Sequence, residues 1–115
     1  MPDTSAADLP TWNRPALVDR IGGDEDLARE LGALFVESLP ELIEAVRLAV
    51  EQRDSVAADR AAHTLNGAAA NVGAEAFQAA AMTIRRLTEA GRLPEARGVV
   101  DRLPDLAERF RDATR

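Results

Sequence analysis

Apolar residues recur along this chain at intervals of three and four, the spacing that gathers them on one helix face. No run alternates with the period of two that a half-buried strand needs, and Ala, Leu, Glu and Arg, all strong helix formers, dominate. The expected class is all-α. Asn13, followed by Arg14 and Pro15, has the form of an N-cap with proline in the first turn, opening a short helix to about Arg20 that Gly22 and Gly23 end. Trp12 and Leu17 would pin it to the core. Asp24 caps a longer segment in which Leu27, Leu31, Leu34, Phe35, Leu42, Val46 and Ala49 keep helical spacing past Pro40. Proline predicts a kink near Leu39, and the capping-box spacing of Ser38 and Glu41 leaves two abutting helices as an alternative.

Asp54 caps the next segment, where Val56, Ala58, Ala62, Leu65, Ala69 and Val72 form one stripe up to a left-handed stop at Gly73. From Ala74 the pattern resumes with Phe77, Ala81, Ile84 and Leu87, and ends at Gly91. Pro94 starts a last helix burying Ala96, Val99, Val100, Leu103, Leu106 and Phe110, with a kink expected at Pro104. Four principal amphipathic segments with short connections predict an antiparallel up-down four-helix bundle over residues 12–111, with the short N-terminal helix as a lid. Residues 1–11 are expected to be a flexible tail and 112–115 a second tail.

Composition narrows what such a bundle can do. At 115 residues there is room for one domain and no separate catalytic module. Cysteine is absent and histidine occurs once, which excludes thiol nucleophiles, disulfide frameworks and Cys/His zinc sites. No Glu-x-x-His couplet of the di-iron type occurs, so neither a metal nor a cofactor is expected. The net charge of −6 has the wrong sign for gripping a phosphate backbone, which argues against nucleic acid as a partner. All 14 basic residues are Arg. The longest uncharged run, Ala61 to Ala74, is too short and too polar to span a bilayer, so no membrane partner is expected. The first residues lack a basic start and an apolar stretch, and a cytoplasmic setting is the expectation.

His63 is then the one source of imidazole chemistry. On its helix Asp59 and Arg60 lie one turn before it, Asn66 and Gly67 one turn after, and Ala70 two turns after, all off the apolar stripe. The ring should stand at the bundle surface. A glycine in a helix interior costs about 1 kcal/mol relative to Ala, which this sequence uses 23 times, so Gly67 needs a reason. Either it allows close helix packing, or it leaves room for another molecule to reach the imidazole. No Gly-rich phosphate loop or strand-to-helix turn accompanies the histidine, which argues against a self-contained acid/base enzyme.

The run from Ala62 to Ala74, AHTLNGAAANVGA, resembles the signature of histidine-containing phosphotransfer (HPt) domains, written AHxLKG followed by small residues and a [IV]GA turn. Upstream, IGGDEDLARELGALFVESLPEL is similar to the family's first long helix, and the resemblance covers about residues 12 to 111. It implies a phosphoryl carrier that is not itself an enzyme. His63 would be the phosphoacceptor, shuttling between a histidine kinase, a hybrid kinase or a receiver aspartate and another response-regulator receiver domain. The receiver would bring the Mg²⁺, and the chain would act as a monomer. Asp59, Arg60, Gly67, Ala70 and Asn71 would form the docking surface.

Two positions depart from the family pattern. The lysine three residues after the histidine is Asn66, and the Glu or Gln that commonly accepts from the second ring nitrogen aligns with Arg85, which has no acceptor. Hairpin geometry about Gly73 sets Arg85 and Arg86 within about one turn of the level of His63. Arg85, or failing that Arg86, is expected to support the phosphoryl group with Asn66 in place of the lysine. The alternative function is a docking module that binds or sequesters a receiver or kinase without carrying phosphate.

Overall fold

The computed structural model describes residues 9–115, so eight residues of the expected N-terminal tail lie outside it. Leu9 is already half-buried against the core. Six helices follow: α1 (Arg14–Arg20), α2 (Glu25–Glu51), α3 (Ser55–Val72), α4 (Glu75–Glu89), α5 (Leu93–Val100) and α6 (Leu103–Thr114), with no strand among the described residues. α3 packs against α2 and α4, while α5 and α6 together supply the fourth side of the bundle against α2 and α4. The caps are the ones the sequence predicts. Asn13, Asp24 and Asp54 accept from the backbone N–H groups of Ala16, Leu27 and Ala57 at 3.2, 2.9 and 3.0 Å, and Gly73 ends α3 at φ 76°.

Several sequence expectations need correction. α2 runs unbroken through Pro40, and Ser38 Oγ donates to the Phe35 carbonyl at 2.7 Å, so two abutting helices do not form. The last helix is divided rather than kinked: a turn at Asp101 and Arg102 separates α5 from α6, and Pro104 sits in the first turn of α6. Proline lacks an N–H and its ring clashes with the carbonyl four residues back, here Val100, so the helix restarts around it. Leu34 and Val56, counted in the apolar stripes, are 59% and 68% exposed. Each lies one or two residues from a buried position, Phe35 or Ala58, and each residue turns the helix by about 100°. Leu27 is exposed too. At the chain end, α6 continues to Thr114, so three of the four residues expected as a tail are helical.

All four aromatic residues of the chain meet in one cluster. Phe35 of α2, Phe77 of α4 and Phe110 of α6 stand edge to face with centroids 5.0 to 6.5 Å apart, and Trp12 tilts onto Phe110 at 5.2 Å. Such pairs add about 0.5–1.5 kcal/mol each to the burial of their area. Gly32 makes room for this packing, since a Cβ there would fall 2.9 Å from the Trp12 ring.

The lid is stapled to the α3–α4 turn. Trp12 Nε1 donates to the Val72 carbonyl at 2.8 Å, the Asn13 N–H donates to the Gly73 carbonyl at 2.8 Å, and Asn13 Nδ2 reaches Glu75 Oε1 at 2.7 Å. Arg20 donates to the carbonyls of Ala70 and Asn71. These bonds satisfy carbonyls that a helix C-terminus leaves open. Gly73 serves twice here, because a Cβ would also meet the Asn13 carbonyl oxygen at 2.9 Å.

Candidate functional site

α3 buries Ala58, Ala62, Leu65, Ala69 and Val72, and this inward stripe turns His63 outward near the helix middle. His63 is exposed, as are Arg60, Gly67 and Asn71, while Asp59, Asn66 and Ala70 are half-buried. A Cβ built on Gly67 would meet no atom within 4 Å. Close helix packing therefore does not explain this glycine. The missing side chain opens onto the row beside the imidazole.

The opposite wall is α4, which buries Ala76, Phe77, Ala80, Ala81, Ile84 and Thr88 and so directs Arg85 toward α3. Small side chains on both helices bring the two backbones close. Arg85 reaches the histidine at the level the hairpin geometry predicts: its Nη1 lies 3.3 Å from His63 Nδ1. Its Nε donates to Asp59 Oδ1 at 3.0 Å, an ion pair whose side chains are 27% and 37% exposed. A guanidinium has donors only, so Nδ1 is the acceptor in this contact. Arg85 thus engages the Nδ1 edge of the ring.

The structure places the other expected residues as follows. Arg86 is exposed and donates to Thr83 Oγ1 of its own helix at 3.4 Å. Asn66 lies one turn beyond His63 on the same helix. Ala70 and Asn71 stand where Arg20 lands, so the lid borders that end of the expected docking row. Asp59 belongs to this row and is also the anchor of Arg85. Sequence reasoning missed that pairing. Its signal was present, since Asp59 and Arg85 stand fourteen residues before and twelve after the Gly73 turn and carry opposite charge.

Among the described residues no three His, Cys, Asp or Glu side chains converge as a metal site would require, and no helix is long and apolar enough to cross a membrane. A cleft of about 480 Å³ lies elsewhere, lined by Val50, Arg53, Leu93 and Arg97 among others, and shares no residue with the His63 face. Chemically, the site offers an exposed imidazole beside an open row, with Arg85 on its Nδ1 edge.

A family model described as "Hpt domain" matches residues 30–113, nearly three quarters of the chain. No curated protein and no solved structure matches it significantly.

Proposed function

Because the chain belongs to the Hpt domain family, we propose that it carries a phosphoryl group on His63 between a histidine kinase or receiver aspartate and another receiver domain of a two-component phosphorelay. Hpt domains are phosphoryl carriers, not enzymes, and they work with kinases and receivers. The observation that carries the reading is an exposed imidazole with empty space above Gly67, one helical turn away. A phosphorylated receiver needs that space to bring its phosphorus in line with the attacking ring nitrogen.

In the transfer, a nitrogen of the neutral imidazole forms a bond to phosphorus as the bond to the aspartyl oxygen breaks, and the carboxylate leaves. The reverse step reloads a receiver. Mg²⁺ on the receiver would neutralise the phosphoryl oxygens, and Asn66 and Arg86 would donate from this chain, Arg85 being engaged with Asp59 and Nδ1. The partner docks over Asp59, Arg60, Gly67, Ala70 and Asn71. The setting is cytoplasmic, where such receivers are met, and the chain acts as a monomer.

Incubation with a phosphorylated receiver is expected to yield acid-labile, base-stable phosphate on the parent and none on His63→Gln. The variant should keep its folding stability within about 1 kcal/mol, since exposed substitutions rarely cost more. Phosphate retained on the variant would move the site elsewhere. One observation favours the docking module as a second reading: Arg85 donates to Nδ1, which leaves the ring proton of a neutral imidazole on Nε2. In that case the receiver binds and no phosphate appears.

A further inference from the structure

The contact between Arg85 and His63 has a direction. Arginine has five N–H donors, no acceptor, and stays charged throughout the working range of pH. Whatever nitrogen it approaches must offer a lone pair. With Arg85 Nη1 3.3 Å from Nδ1, a neutral His63 holds its proton on Nε2, the other ring nitrogen. Asp59 makes the arrangement persistent: four residues before His63 on the same helix, it takes Arg85 Nε at 3.0 Å and turns the guanidinium edge toward the ring. Arg60 and Arg86, the other charged residues of this face, are exposed and bond neither Asp59 nor the imidazole.

Resting on the carrier reading, we propose that Asp59 and Arg85 are positioning residues that set the tautomer of His63 and so make its phosphorylated form persistent. Loading requires Arg85 to leave Nδ1, so that the ring proton passes through water from Nε2 to Nδ1 and frees the Nε2 lone pair: the acyl phosphate and the Nδ1–H imidazole then become a carboxylate and an Nε2-phosphoryl imidazolium, which loses its Nδ1 proton to water. The N–P bond forms as the aspartyl O–P bond breaks. Once that proton is gone, Nδ1 has its lone pair back and accepts again from Arg85. Departure of the phosphoryl group is easiest when Nδ1 takes up a proton, because the ring then leaves as neutral imidazole. Arg85 occupies the lone pair that this proton requires. The pair therefore slows both loading and unplanned loss, which turns a transit carrier into a store whose contents a docked receiver draws down.

The test separates this inference from the carrier reading by using the unphosphorylated protein first. Two-bond proton–nitrogen correlation of the His63 ring at mildly alkaline pH is expected to show Nε2–H in the parent and in Arg85→Lys. In Arg85→Gln, whose amide oxygen can accept, the population should move to Nδ1–H, and Asp59→Ala, which frees Arg85, should move part of the way. Phosphorylation with phosphoramidate then needs no partner protein, and the half-life of the phosphohistidine should fall about fivefold in Arg85→Gln, the factor an ordinary hydrogen bond represents. Arg85→Lys should restore most of it. An Nδ1–H tautomer in the parent overturns the proposal, as does an Arg85→Gln protein with parental ring pattern and parental half-life. Failure of the parent to take phosphate, with the Nε2–H pattern intact and sensitive to Arg85, removes the carrier reading and the persistence it implies, and upholds the tautomer assignment.

Discussion

Gly32 and Gly67 both interrupt long helices and both cost their helix the same backbone entropy, yet they face opposite surroundings. At Gly32 the added carbon would strike the Trp12 ring at 2.9 Å and come within 3.3 Å of Thr114 Cγ2. At Gly67 it would touch nothing within 4 Å. One glycine is required by the protein's own packing under the lid. The other is unused by the fold, so its reason lies outside the chain. A substitution that improves folding at one place and damages it at the other separates structural need from functional need without any knowledge of the partner.

The largest effect is expected from Gly32→Val. Trp12 cannot swing aside, being bonded to the Val72 carbonyl and tilted onto Phe110, so overpacking should cost about 1–3 kcal/mol in denaturant unfolding. A neutral result would mean that the lid gives way freely and that the contrast between the two glycines is false. Gly67→Ala should stabilise by about 1 kcal/mol, the helix-interior difference between the residues, and slow receiver transfer, because its methyl enters the open row. Gly67→Arg keeps the better helix former but should weaken receiver binding by steric obstruction, measured by titration against a competent receiver. Parental affinity for every such receiver would close the proposed entrance.

Gly98 sharpens the comparison, because it too sits in a helix with nothing within 4 Å of a built Cβ, but on α5, away from His63. Gly98→Ala should give up to about 1 kcal/mol of stability and no change in transfer. The smallest effect is expected at the exposed end of α2, where the Arg47 guanidinium donates to Glu44 and holds its carboxyl below the usual carboxylate range. A carboxyl held low in the folded state adds stability above its unfolded value and loses it as pH falls through the folded one. Here solvent screens the pair, so Arg47→Ala should raise the Glu44 titration midpoint by NMR and leave the unfolding midpoint in place.

What was legible in the sequence is what local chemistry decides. Asn13, Asp24, Asp54 and Gly73 are caps whose bonds reach no farther than one turn, and each appears where its residue type and neighbours place it. His63 was readable as exposed because the buried stripe of α3 runs without interruption on the other side. Pro104 misled because proline in a helical pattern can bend a helix or begin one, and the choice depends on packing against α2. Leu34 and Val56 misled for a different reason, since spacing alone does not say where a stripe ends. The bond between Asp59 and Arg85 depends on the rotamers of two side chains meeting across a hairpin. Spacing can set their level, but not which ring nitrogen the arginine meets.

Trp12 is the one tryptophan of a chain without tyrosine, so ultraviolet emission reports a single indole. That indole is bonded to the last carbonyl of α3 and stacked near Phe110, at the junction of lid, hairpin and C-terminal helix. The protein thus carries an intrinsic optical gauge of lid docking, placed apart from His63. Undocking should shift that emission to the red as the indole meets water, and a receiver that leaves the lid seated should leave the signal unchanged. Fluorescence read during phosphotransfer would therefore tell whether α1 rides along as a passive brace or lifts each time a partner arrives.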